Sequence, residues 1–149
     1  MLFRSPLSEA HLFAASRSQL ITEKVLPLLE TERNIVIYDR FIHSSIAYQG
    51  FGSKLGHETV LKIHSHYPLN ITPHLTIYLE IDKETSIKRQ EIRNSKKDYF
   101  ESKSEEYYQN VIDGFEWCKK NFDNFATIDG CQEMNDTTNS IIKKINGLI

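Results

Sequence analysis

Apolar positions recur along this chain at two different periods, and their alternation predicts its class. Over residues 8–29, Leu12, Phe13, Leu20, Ile21, Val25 and Leu28 fall at helical spacing, with Pro27 near the end, where a stop or kink is cheap. Residues 30–33 are polar turn material. Residues 34–38 (NIVIY) form a short β-branched run with the pattern of a buried strand, ending on Asp39 and Arg40. Residues 42–56 mix small, polar and glycine positions and predict a short helix and a loop. Residues 57–66 read as helix, and Pro68 and Pro73 punctuate its exit. A second strand is predicted over 75–81, with Asp82 capping a helix that runs through Arg93. A polar, lysine-rich stretch at 94–98 reads as a mobile loop. It leads to a helix over 101–121 whose packing candidates are Tyr107, Tyr108, Val111, Ile112, Phe115 and Trp117. Residues 125–128 are a third strand and 135–145 a last helix. Strands alternating with helices predict an α/β fold with a mainly parallel sheet.

Composition narrows the class without changing it. A chain of 149 residues suits a single domain, and 40% hydrophobic with 26% charged residues is an ordinary globular balance. The net charge of −2 implies no general attraction to nucleic acid or to a membrane, though local arginines can still hold a small anion. Cys118 and Cys131 form neither a CxxC pair nor a metal-ligand cluster, which fits a reducing cytoplasm better than a disulfide framework. The opening MLFRSPLSEAHLF has no apolar run long enough for a signal sequence or a membrane span.

Candidate chemistry gathers after the first predicted strand. Open α/β sheets bind ligands at the carboxyl ends of their strands, where Asp39 and Arg40 are expected. An acid there can hold Mg²⁺ through water, and an arginine can grip phosphate with two parallel hydrogen bonds. The same pair also suits a helix-capping acid beside a surface arginine. Phe13 and Arg17, four residues apart, share a helix face. Taken by themselves they read as a core ring beside a surface charge.

The run DRFIHSSIAYQG, from Asp39 to Gly50, resembles the thymidylate kinase signature D-R-Y/F/H-x-x-S-S/T-x-A-Y-Q-G. Upstream, EAHLFAASRSQL from Glu9 to Leu20 is similar to that family's E-x-x-L-F-x-A-x-R-x-Q segment. Downstream, PHLTIYLEI from Pro73 to Ile81 is similar to its P-D-L-T-I-Y-L-D-V strand, and TIDG from Thr127 to Gly130 to its final strand and turn. The resemblance covers essentially the whole chain. It implies a three-layer P-loop NTPase-like parallel sheet in one partial domain over 1–149, holding the family's strands 3, 4 and 5 and missing its first two. It implies transfer of the γ-phosphoryl of ATP to dTMP, giving dTDP for dTTP synthesis, with Mg²⁺ and with ATP as co-substrate.

The same resemblance assigns residues. Phe13 stacks on thymine and Arg17 hydrogen-bonds it; Ser45 and Gln49 read the polar edge of the base; Tyr48 packs beneath the deoxyribose. Arg40 holds the substrate phosphate, and Asp39 and Arg40 are the catalytic pair, with Asp39 reaching a metal ion through water. Residues 88–101 resemble the lid, with Arg89 and Arg93 facing the ATP phosphates. Tyr99 stands where the family carries an arginine, which leaves Arg89, Arg93 or a lysine to make that contact. Family members also dimerise through helices like 8–29, so a homodimer is expected.

One part of the pattern is missing. None of the six glycines, at 50, 52, 56, 114, 130 and 147, starts a G-x-x-x-x-G-K-S/T phosphate loop. The expectation is therefore a truncated thymidylate kinase, inactive alone. The alternatives are a dTMP-binding remnant without catalysis and a deoxynucleoside kinase-like protein. If the family's central strand belongs between 34–38 and 75–81, both stretches are left with exposed edges.

Overall fold

The computed structural model describes residues 5–31, 34–93 and 103–148, and within them the chain forms two compact units. The expected loop at 94–98, Tyr99 and most of the lid lie outside the described residues.

The first unit takes its residues from 1–72 and 104–120. Helix α1 (Pro6–Leu20) starts where Ser5 accepts a hydrogen bond from the Ser8 amide at 3.1 Å, with proline in the first turn. It runs on through a π-helical segment (Ile21–Val25) into α2 (Leu26–Leu29). Of the large apolar residues that predict its inward face, Ile21 is buried and most others are not. Glu9, Ala10, Ala14, Arg17 and Ile21 are buried, whereas Leu12 (62% exposed), Leu20 and Leu28 face solvent. Alanines let a neighbouring backbone come close, and the polar residues of the same stripe enter the interior with them. The pairing partner, not the bulk of the side chains, selects the face.

Helix α3 (Ile42–Ser45) passes into a second π-helical segment (Ile46–Gly52), and α4 (His57–Ile63) follows after a turn. Helix α6 (Glu105–Asn121) buries Tyr107, Val111, Gly114 and Cys118, a stripe at helical spacing. Two glycines make its approach possible. A Cβ on Gly114 would stand 2.6 Å from the Cα of Ala47, and one on Gly52 would stand 2.7 Å from Cγ2 of Val111. Ile112, expected to pack, is 48% exposed. Burial pushes the Cys118 thiol up to about 12, which leaves it a small, inert core group.

Residues 34–38 correct the sequence reading. They join no ladder, since among the described residues the sheet contains two strands and not three. Ile35 is 61% exposed and Ile37 85%. A β-branched run states a preference for cover; a buried strand also needs neighbours on its hydrogen-bonding edges, and these residues have none in the sheet.

The second unit takes its residues from 73–103 and 121–149. Strands β1 (Thr76–Glu80) and β2 (Phe125–Asp129) pair in parallel from Thr76↔Phe125 to Glu80↔Asp129. The Asn124 side-chain amide bonds the Pro73 carbonyl at one end of the pair. At the other, the Gly130 amide donates to the Glu80 carbonyl at 2.7 Å. Helix α5 (Lys83–Arg93) starts at the expected cap, where Asp82 accepts from the Thr85 amide at 2.7 Å, and α7 (Met134–Asn146) packs on β2. Among the described residues no helix is long and apolar enough to cross a membrane.

Candidate functional site

The residues singled out around α1 and the second π-helical segment meet inside the first unit. Arg17 is 8% exposed, and its guanidinium is held from three sides. Nη2 donates to Ser45 Oγ at 3.1 Å and to the Phe41 carbonyl at 3.3 Å, while Nη1 lies 2.6 Å from His64 Nε2. The Phe41 ring lies under the same guanidinium, 5.5 Å from Cζ to centroid. These are three contacts for a group with five N–H donors. Burial lowers the Arg17 pKa, against a smaller opposing influence of Tyr38. Among the described residues no carboxylate pairs with this arginine, and a ring nitrogen, a hydroxyl and a carbonyl hold the buried charge.

Gln49 is also interior, and its Nε2 donates to Glu9 Oε1 at 2.8 Å. Because a carboxylate only accepts, this bond fixes which end of the amide is which and turns the Gln49 carbonyl the other way. Arg40 and Tyr48 come together as well, with the guanidinium carbon 5.3 Å from the ring centroid. Tyr48 meets Phe115 edge-on at 6.1 Å. Arg40 has φ +66°, a left-handed backbone that a branched-chain-sized residue adopts only when its surroundings demand it. Such strain is commonly found where a side chain must be aimed.

The remaining expected residues are more open. Phe13 is 42% exposed, one turn before Arg17, and Asp39 is exposed. Arg89 is exposed on α5 in the second unit, and the Arg93 side chain lies outside the described residues. A shallow depression of about 290 Å³ lies at Gly50, Phe51, Lys54 and His57 and includes none of the expected nucleotide residues.

Two groups escaped the sequence reading. Glu9 carried a usable signal, since 9, 13 and 17 are four apart and occupy one helix stripe. His64 carried none, because its partner is 47 residues away. His43 is a third interior titratable group, 3% exposed. Burial, followed by the Arg17 charge, brings its pKa down to about 4.

A family model described as thymidylate kinase matches residues 3–141. The chain is 39% identical over 141 residues to a thymidylate kinase of Thermoanaerobacter sp. (strain X514), covering 94% of this chain and 68% of that protein. It is 39% identical to one of Lactobacillus helveticus (strain DPC 4571), over 91% of this chain and 64% of the other. With one of Mesomycoplasma hyopneumoniae (strain 7448) the identity is 41%, over 85% and 60%. The chain thus spans about two thirds of the length of the curated relatives it matches.

Proposed function

The chain belongs to the thymidylate kinase family, and from that premise we propose that its first unit is the nucleotide-monophosphate pocket of a dTMP kinase. In this reading Arg17 donates to the O4 carbonyl of thymine, and Gln49, with its carbonyl turned away from Glu9, accepts from N3–H. Ser45 holds Arg17 at the base edge. Phe13 covers the base, Tyr48 lies beneath the sugar and Arg40 grips the phosphate. The observation that carries the reading is the buried Arg17, fixed by neutral acceptors and not by a carboxylate, so that its charge is still available to a ligand. An Arg40 guanidinium already seated over the Tyr48 ring supports the phosphate end.

The reaction moves the γ-phosphoryl of ATP onto the dTMP phosphate, and its catalysis is mostly positioning and charge neutralisation. Magnesium would supply part of that neutralisation. The described residues contain no cluster of three or more metal-ligating side chains. A single exposed carboxylate, Asp39, fits an ion that keeps several waters and takes other ligands from phosphates. The 149 residues contain no glycine-rich phosphate loop, so the ATP phosphates need a cradle from outside them.

The reading extends to a single partial P-loop NTPase domain with β1 and β2 as the family's fourth and fifth strands. It includes a lid over 88–101 with Arg89 and Arg93 directed at ATP, a cytoplasmic location, and a homodimer formed through α1. Its test is a calorimetric titration of dTMP against dCMP. A pocket offering a donor at O4 and an acceptor at N3 meets the opposite pattern in cytosine, so dTMP should bind at least about tenfold more tightly. Equal affinities would sink the assignment.

A further inference from the structure

His64 ends helix α4, is 2% exposed, and lies between two groups that leave it one chemical state. Its Nδ1 is 2.8 Å from the Val60 carbonyl, which can only accept, so Nδ1 carries the hydrogen. Its Nε2 is 2.6 Å from Arg17 Nη1, which can only donate, so Nε2 carries the lone pair. Both contacts are satisfied by the neutral Nδ1–H tautomer and by no other form. A histidine at a helix C-terminus is ordinarily favoured as a cation. Here the position is overruled by burial, joined by a permanent guanidinium charge within hydrogen-bond distance.

We propose that His64 is a positioning residue for base recognition: its neutral Nε2 holds the Arg17 guanidinium toward the thymine edge, and protonation of His64 releases it. The proposal rests on the assignment of Arg17 to the base. Protonated, His64 would turn an N–H toward an N–H and set two cations side by side in an interior site, and the guanidinium, carried on the longer side chain with more rotatable bonds, would yield. Arg17 is the charged group acting on His64 from α1, and the Val60 carbonyl faces it from its own helix. Tyr38 and His43 in turn sense Arg17. Burial first, and then the Arg17 charge, place the His64 pKa below the ordinary 6.5 against the opposing pull of the Val60 carbonyl. The switch is therefore off at neutral pH and turns on in acid.

The test uses the 149-residue chain and two probes, dTMP and thymidine. Thymidine is the cleaner probe, because it has no phosphate to titrate in the same range. Two-dimensional ¹H–¹⁵N spectra of the histidine rings should show His64 as the Nδ1–H tautomer at pH 7.5. Thymidine affinity should fall at least about tenfold as His64 is protonated. His64→Asn, whose side-chain carbonyl can still accept from Arg17 but cannot titrate, should bind thymidine with flat pH dependence. A His64 ring that is protonated or Nε2–H at pH 7.5 overturns the proposal on the unsubstituted chain, whether or not the variant folds. Binding of thymidine that ignores His64 protonation overturns it and leaves the pocket assignment standing. Failure to bind dTMP at pH 8 overturns the pocket assignment and this inference with it.

Discussion

The two units of this chain are held together by different means. In the first, Ala10, Ala14, Ile21, Ile46, Ala47, Val60, Tyr107, Val111 and Cys118 are all buried, and helices approach closely enough that two glycines are required. Among the described residues of the second, Ile128 is the one apolar side chain that is buried. Leu79, Ile87, Ile142 and Met134 are each more than two fifths exposed. A two-stranded parallel pair with one buried anchor lacks the burial that usually makes a sheet independently stable. Its order depends more on individual hydrogen bonds. The expected nucleotide pocket is on the tightly packed unit, and the residues assigned to the lid begin on the loosely packed one.

The largest effect should come from filling the closest approach. In Gly114→Ala the new Cβ meets backbone, the Cα of Ala47 at 2.6 Å, inside a packed pair of helices with no flexible side chain to give way. The first unit should lose about 3 kcal/mol, the upper part of the range for overpacked cores. Trp117, the only tryptophan, reports on this unit by fluorescence in a denaturant titration. Gly130→Ala places a Cβ 2.9 Å from the Glu80 carbonyl at the end of β1, in the other unit. It should leave the Trp117 transition within about 0.5 kcal/mol of its starting value. Equal losses from both substitutions would remove the contrast between the units.

Acid should separate them next. His43 is neutral when folded, with its pKa brought from 6.5 down to about 4. Between those values the unfolded chain binds the extra proton, so stability rises with pH across the window. It is complete above about 6.5 and is lost as pH falls toward 4. By pH 5 the first unit should have lost about 2 kcal/mol on this account. His64, with its pKa also lowered, adds to the loss in the same direction. Among the described residues of the second unit no histidine is buried, so its amides should show no matching change. Trp117 unfolding measured at pH 7.5 and pH 5, with Ile128 amide exchange alongside, gives both readings. A flat Trp117 profile across this range would falsify the buried, neutral assignment of His43.

Most of the element order was legible in the sequence because its signals are local. Asp82 announces a helix start, and the strands at β1 and β2 stand within a residue or two of their predicted bounds. What was not legible depends on distant partners. Residues 34–38 carry the composition of a buried strand, yet nothing within five residues of sequence can say whether neighbours exist to cover them. On α1 the large apolar residues pointed to the wrong face, because the contact is made through alanine and through Glu9 and Arg17. The same limit applies to the site. Phe13, Arg17, Ser45, Tyr48 and Gln49 were found by resemblance to a spaced motif. The bonds that orient them join residues 47 and 40 positions apart, His64 to Arg17 and Glu9 to Gln49, and no local pattern encodes either.

The smallest expected effect falls on the second unit and tests whether individual hydrogen bonds order it. Asp82 accepts from the Thr85 amide at 2.7 Å and from the Thr85 hydroxyl at 3.0 Å, and the Cys131 thiol donates to its Oδ2 at 3.1 Å. The Thr85 amide is the main cause that holds the Asp82 carboxyl below the usual range, followed by the Cys131 thiol. One exposed side chain therefore ties the start of α5 to the turn after β2. In Asp82→Ala both ties go, and each of them lies within the second unit. Amide exchange at Thr85 and at Ser86, whose amide bonds the Asp82 carbonyl at 3.0 Å, should quicken as the first turn frays. Cys131 should react faster with a thiol-specific reagent, because its hydrogen-bond acceptor is gone. The Trp117 transition should not move. Asp82→Asn, which keeps an acceptor oxygen, should restore most of the Thr85 protection. If Thr85 exchange and Cys131 reactivity stay unchanged in the alanine variant, the end of this unit is ordered by packing after all, and the two units differ less than their burial implies.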